Sequence, residues 1–283
     1  GANEEAAMMT GSLVPEPVTA IDLFAGALMP GLMLVGMFIV LIYFYARINP
    51  NSCPPVKTER TRNEIYANAI TSILPPLILI LLVLGSILMG VATPTESASV
   101  GAVGAAVIAA LKGQLNYKNI RDVSLSTVKL SSFVFVILIG ASMFSLVFRG
   151  FNGDEMIEHF LGTLPGGLYG ALFIVMAAIF VLGFFLDYIE IIFVIVPLVG
   201  PVLIANGADP LWLGILISLN LQTSFMTPPF GFSLFFLRGV APKEIETQNI
   251  YKGVMPFIAV QVVALFIVGF FPEIATWLPD KLF

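Results

Sequence analysis

Charge is scarce in this sequence. Of its 283 residues, 11% are Asp, Glu, Lys or Arg and 58% are hydrophobic. Soluble domains carry roughly 25% charged residues, so this composition does not supply an ordinary water-facing surface. The formal net charge of −5 gives no basic footprint for a nucleic-acid partner. Cysteine is nearly missing: Cys53 alone excludes an internal disulfide and a thiolate metal cluster. The single histidine, His159, falls in a polar stretch read as a solvated loop. There is no phosphate-binding glycine loop, which excludes direct drive by ATP.

What the chain has instead is a succession of long apolar runs, with a mean hydropathy of +0.98. In lipid every backbone polar group must be satisfied internally, and helices do this segment by segment. The expected fold class is therefore an all-α polytopic membrane protein, with lipid as its surroundings. The opening GANEEAAMMTGSLVPEP has neither a basic n-region nor an apolar h-region, so it is not a signal peptide. It reads as an outer loop and suggests a piece of a longer chain.

A spanning helix needs about 20 apolar residues. The first is Ile21 to Ala46, interrupted by Pro30-Gly31. Arg47, Lys57, Arg60 and Arg62 follow, a basic cluster of the kind that stays on the cytoplasmic side. Within it TERTRNEIYANAITSI has the spacing of a short interfacial helix. The run Ile73 to Leu111 would be about 58 Å long as one helix, almost twice the hydrocarbon thickness of roughly 30 Å. A second basic group, Lys112, Lys118, Arg121 and Lys129, comes after it. Two crossings, Ile73–Met89 and Pro94–Leu111, put both basic groups on one side.

The turn between them is GVATPTESASVGA. Thr93 suits an N-cap, Pro94 the first helical position, and Glu96, after Thr95, the third. That is a capping box, in which threonine and glutamate each satisfy the other's amide. A direct ion or proton role for Glu96 is the competing reading. Ala98, Gly101, Ala102, Ala105, Ala106 and Ala109 behind it are the small residues of a close helix contact.

Val128 to Phe148 forms the next span, followed by an acidic loop from Arg149 to Gly167. Leu168 to Ala205 is broken by GFFLDYIE and by Pro197 and Pro201. Either it crosses twice, with Asp187 and Glu190 in a wet interfacial turn, or it is a re-entrant hairpin holding Asp187 at membrane depth, where a carboxylate needs a partner or a water-filled cavity. ANGADP ends it with strong breaker signals. Leu211 to Leu237 is interrupted by NLQTSFMTPPFG. Pro228 and Pro229 donate no backbone hydrogen bond, and a proline disfavours helix at the residue before it. The helix must unwind there, and unwound backbone inside a membrane survives only when buried in protein or lining a cavity. Asn220, Gln222, Thr223, Ser224 and Thr227 cluster there, and their side-chain oxygens, with backbone oxygens near Met226, are hard donors suited to sodium. A half-helix starting near Gly231 presents its N-terminus to an anion. Broken helices of this kind point to a transporter's binding site. The last span is about Gly253 to Phe271, with Trp277 as an interfacial anchor.

These blocks resemble the large membrane subunit (DctM type) of the tripartite ATP-independent periplasmic (TRAP) transporters. The carriers of the resemblance are GVATPTESASVGA, SLNLQTSFMTPPFGFSLFFLRGVAP, LFAGALMPGLMLVG and GFFLDYIEIIFVIVPLVGP, in family order along nearly the whole chain; FGFSLFFLRGVAP looks most like the mannitol/chloroaromatic branch. The resemblance implies the second inverted repeat of an elevator-type fold of the ion-transporter superfamily, with a re-entrant hairpin and a broken helix. It divides the chain into an outer loop, linking helix and cytoplasmic segment (1–72), scaffold helices with the TPTE turn (73–149), a transport-domain hairpin and broken helix (150–238), and a final helix with its tail (239–283). It also implies sodium as coupling ion with no other cofactor, a small organic acid as substrate, a periplasmic substrate-binding protein and a small membrane subunit (DctQ type) as partners, and the bacterial or archaeal cytoplasmic membrane. Asn220, Thr223, Ser224, Thr227, Pro228 and Gly231 match the family's second broken helix, and Leu186–Glu190, with Asp187, its hairpin tip. Thr93, Pro94, Thr95 and Glu96 match the TPTE segment. The first repeat's hairpin and break are absent, so half of the ion and substrate cage would come from elsewhere.

Two other classes compete. An intramembrane enzyme needs a catalytic pair, but Asp187 is the only mid-span aspartate and no metal-ligand motif appears. A structural scaffold subunit has no use for a polar break in mid-membrane. A non-enzymatic permease is the expectation, its particular organic acid left open.

Overall fold

The computed structural model describes residues 6–7, 18–50, 61–228, 231–242 and 245–282. The readings of the N-terminal loop and of Cys53, Lys57, Arg60 and Pro229 lie outside these residues. The described chain is helical, with no strand among the described residues. Among the described residues, six helices are long and apolar enough to cross a membrane. Two compact units form, one of Tyr45–Ser132 and the other of Gly1–Phe44 with Phe133–Phe283.

In the first unit, α2 (Arg62–Leu88) and α3 (Pro94–Leu111) fold back on each other. The hinge is set by local chemistry. Gly90 takes φ 66°, which only glycine adopts cheaply. It closes a Schellman turn, with Gly90 N–H on the Ile87 carbonyl and Val91 N–H on that of Ser86. The next helix then begins on the expected box. The Glu96 carboxylate accepts from Thr93 N–H at 2.8 Å, and Thr93 Oγ1 accepts from Glu96 N–H at 3.3 Å. The hairpin seam is Ser97, Gly101 and Gly104: Ser97 bonds Ser86 at 2.9 Å, and a Cβ on Gly101 or Gly104 would run into Val83 or Leu79. This corrects the expected small-residue set, since Ala98, Ala102 and Ala105 face outward.

The expected interfacial helix is also corrected. Residues 62 to 73 are the first turns of α2 itself, which runs unbroken through Pro75 and Pro76. A second Thr-x-x-Glu box starts it, with Thr61 N–H on Glu64 at 3.1 Å.

In the second unit α1 (Ala20–Ile48) begins on a third such box, Thr19 with Asp22. Pro30 does not interrupt α1; it is buried within it. α4 (Tyr117–Gly150) enters this unit from Phe133 onward. The acidic loop expected after it holds a helix, α5 (Gly153–Gly162), with His159 in its last turn. Leu161 and Ile157 pack it on the core, while Asp154 and Glu155 sit in its first turn, where the helix dipole favours negative charge.

α6 (Gly167–Leu182) and α7 (Tyr188–Ala205) form the hairpin. Pro197 and Pro201 do not break its second limb. Instead Ile191–Ile195 widens into a π turn, with Val196 N–H reaching Ile191 O; the wider turn relieves the clash of the Pro197 ring with the preceding turn. α8 (Pro210–Phe225) follows a second Schellman turn at Gly207, capped by Asp209 on Trp212 N–H at 2.6 Å. Then come α9 (Phe232–Val240), α10 (Thr247–Phe270) and the short α11 (Glu273–Thr276) and α12 (Pro279–Leu282).

Burial is uneven. Large apolar side chains of α1 to α4 are exposed along their length, as lipid-facing helices require. The core instead gathers on α6, α7 and α8. α8 is buried over most of its circumference, through Leu211, Trp212, Leu213, Ile215, Leu216 and Ile217, and exposes only the Ser218–Gln222 stripe, the pattern of a central helix.

Removing one half of a capping box exposes its worth. Thr93→Ala lowers the stability of the detergent-purified protein by about 1 kcal/mol, read as a fall in Tm. Glu96→Ala lowers Tm further than Glu96→Gln, because an amide oxygen still accepts from the cap.

Candidate functional site

The helix unwinds where the sequence places the break. α8 ends at Phe225 and α9 starts at Phe232. Met226 and Thr227 N–H groups fall back on the Thr223 and Ser224 carbonyls. Gly231 N–H closes on Thr227 O at 3.1 Å. A Cβ on Gly231 would lie 2.7 Å from Phe225 O and 2.9 Å from Thr227 O, so only glycine lets the backbone pass itself so closely.

Position relative to the hairpin follows from helix length. α6 and α8 have 16 residues each. They run parallel, since Asn220 meets Met176 and Ser224 meets Gly183 further along both. Equal length and common direction bring the hairpin turn and the helix break to one level. There the Ser224 side chain lies directly under Gly183, its Cβ 2.8 Å from where a glycine Cβ would be.

The side chains at this level are polar and enclosed. Asn220, Thr223 and Ser224 are each 1% exposed. Asn220 Nδ2 donates to Met176 O at 2.8 Å and ties the central helix to the hairpin. Thr223 donates to Leu219 O at 2.7 Å, Ser224 to Leu221 O at 2.9 Å and Thr227 to Thr223 O at 2.7 Å. Each hydroxyl proton is thus committed to its own helix, which leaves oxygen lone pairs as the part a ligand meets. Thr227 and Pro228 are half-buried, Gly231 is buried, and Gln222 points outward. So Asn220, Thr223, Ser224, Thr227, Pro228 and Gly231 are brought together at one break. Asp187 stands at the hairpin tip instead. Its Oδ1 accepts from Tyr188 N–H at 2.7 Å and caps the second limb. Thr93 to Glu96 belong to the other unit, in their capping role. Among the described residues no group of three or more His, Cys, Asp or Glu is placed to hold a metal.

Gly183 and the buried Gln261 were not singled out from the sequence. Gly183 stands in GFFLDYIE, where a glycine at a hairpin turn signals close backbone approach. Gln261, in α10, is one polar residue within an apolar span.

A groove of about 390 Å³ opens beside the site, lined among others by Met176, Phe180, Leu216, Asn220, Leu265 and Phe266. It lies between α6, α8 and α10. Asn220 and Tyr169 are its only residues with polar side chains, so it suits an apolar chain and not a small ion.

Among the described residues, six lipid-length helices, a short-limbed hairpin and a polar helix break at the level of its turn define an all-α polytopic membrane protein. The chain belongs to the DctM component family of the tripartite ATP-independent periplasmic transporters, whose family model matches residues 8–274. It is 29% identical over 263 residues to the ectoine TRAP transporter large permease protein TeaC of Halomonas elongata, covering 93% of this chain and 60% of that relative. It is 30% identical over 283 residues to the C4-dicarboxylate TRAP transporter large permease protein DctM of Vibrio cholerae, covering 92% and 61%. With the sialic acid TRAP transporter large permease protein SiaM of Vibrio cholerae it shares 25% over 287 residues, covering 97% and 66%. The chain thus spans about six-tenths of the length of the first of these relatives.

The two glycines at the junction give a direct test. Gly231→Ala sets a methyl group against backbone oxygens that cannot swing aside and lowers stability by about 1–3 kcal/mol. Gly183→Ala presses on the enclosed Ser224 side chain and costs less. Tm values of the purified variants check the order.

Proposed function

We propose that this chain contributes the second half of the cation and solute seat of a sodium-coupled secondary permease for a small organic acid. One observation carries the reading: the chain leaves the helix at Met226, Thr227 and Pro228 and again at Gly231, at the level of a hairpin turn and beside the enclosed oxygens of Thr223 and Ser224. Inside a membrane such backbone is stable when it lines a cavity or is buried in protein. Neutral hydroxyl and carbonyl oxygens are hard donors, the kind a small alkali cation accepts. The end of α8 presents partial negative charge and the start of α9 partial positive charge. The first end favours the cation and the second a carboxylate, so the two solutes bind side by side and assist each other.

The relatives support the substrate class. Two are described as permeases for C4-dicarboxylates and for sialic acid, both organic acids. The complete transporter then takes its acid from a periplasmic binding protein and works with a small membrane subunit in the bacterial inner membrane. The hairpin and broken helix move as one body against a scaffold, in the manner of an elevator. Ser224 under Gly183 and Asn220 on Met176 are what would hold that body together during such a movement.

Uptake of labelled acid into proteoliposomes holding the complete transporter, with its binding protein outside, tests the reading. Uptake is expected to require both an inward sodium gradient and the binding protein. Ser224→Ala and Thr227→Ala are each expected to raise the sodium concentration for half-maximal uptake about tenfold in protein that remains folded. Uptake indifferent to sodium would remove the coupling proposed here.

A further inference from the structure

Gln261 stands apart from the other enclosed polar side chains. Ser97, Asn220, Thr223 and Ser224 each have a hydrogen-bond partner. Gln261 is only 3% exposed, yet both Oε1 and Nε2 are buried with no partner among the described residues. Native proteins leave few such groups, because an unpaired buried amide has given up its water and gained nothing. Met or Leu would fill the same space without that loss.

Its place in the fold says what the amide serves. The buried residues of α10 are Ile250, Val254, Ile258, Gln261, Ala264 and Val268, spaced so that Gln261 stands at the centre of one face. Toward one end this face packs Ile250, Val254 and Ile258 with Leu234 and Met226. Toward the other, Trp212 Nε1 donates to Val268 O at 2.8 Å. α8 and α10 therefore run antiparallel, with Trp212 level with Val268 and Met226 packed toward the Ile250–Ile258 end. Val262, next to Gln261, lines one groove with Asn220, so Gln261 stands at the level of the Asn220 turn of α8, before the break.

We infer that Gln261 is a third wall of the cation seat: its Oε1 offers a neutral hard oxygen to a sodium-sized cation held at the break. This rests on the sodium-coupled reading above. It adds α10 to the hairpin and the broken helix as an element that feels the ion. Unlike the Thr223 and Ser224 oxygens, which keep backbone bonds whether or not an ion is present, Gln261 gains its partner only on binding.

The test compares wild type, Gln261→Met and Gln261→Glu in the complete transporter. It uses two readouts, sodium-dependent uptake and the rise in Tm on adding sodium chloride against choline chloride. Gln261→Met keeps size and loses the oxygen. It is expected to raise the half-saturating sodium concentration about tenfold in both readouts, while Tm without sodium is unchanged or higher. Gln261→Glu keeps an oxygen and adds charge, and is expected to hold or lower that concentration above neutral pH. Sodium half-saturation for Gln261→Met within twofold of wild type would overturn the inference and leave the amide to a buried water. If Gln261→Met is not recovered folded, a raised sodium requirement in folded Gln261→Glu overturns it equally. A wild type that ignores sodium in both readouts defeats the coupled reading itself, and this inference with it.

Discussion

The hydrogen bond from Asn220 to the Met176 carbonyl is the constraint on which the site depends. It fixes the central helix in register with the first limb of the hairpin. With that register set, two parallel helices of 16 residues each end at one level. A slip of one turn would separate the hairpin turn from the unwound segment by about 5 Å and take Ser224 from beneath Gly183. Buried side-chain to backbone bonds between membrane helices are worth only about 1–2 kcal/mol at best, so this bond does not hold the fold alone. It selects among packings that apolar side chains would otherwise accept almost equally. The Trp212 bond to Val268 does the same at the other end of α8.

Much of this was legible in the sequence where the signal is covalent or local. Prolines that donate no hydrogen bond announced the break. Thr93, Pro94 and Glu96 announced a helix start, and ANGADP a stop and a new start. Less legible was what depends on neighbours. Pro30 looks like an interruption, yet α1 passes through it, because packing can offset a missing backbone bond. The start of α2 was missed although Thr61 and Glu64 repeat the Thr-x-x-acid pattern read correctly at Thr93. The stretch reads as a short interfacial helix by its apolar spacing, and spacing alone does not say whether such a helix stops or continues into the next span. The face of α3 that packs was misjudged for a related reason: an alanine-rich helix has small residues on every side, and only its partner decides which are covered.

Gln261 shows the opposite limit. Nothing in AVQVVALFIV distinguishes a glutamine that bonds a neighbouring helix from one that bonds nothing. The distinction appears only when its surroundings are known, and there it is informative because the other enclosed polar groups are satisfied.

The chemistry of the junction also bears on how such a seat would work. The oxygens of Asn220, Thr223, Ser224, Thr227 and Gln261 are all neutral, and the carboxylate of Asp187 is spent on capping its own helix. A buried carboxylate at the break would hold a cation far more tightly, but an empty seat would then carry an unpaired charge through a low-dielectric interior, at a cost of several kcal/mol. Neutral oxygens and the partial charges of two helix ends avoid that cost. In the proposed reading they would bind a cation weakly enough to release it, and the empty seat would cross without net charge. In the proposed cycle the sites must return empty after each delivery, so a seat built from dipoles suits the return step as well as the loaded one. Gln261, the one buried amide without a partner among the described residues, would then be the part of the proposed seat whose energy changes most between the two, because it has no bond to fall back on.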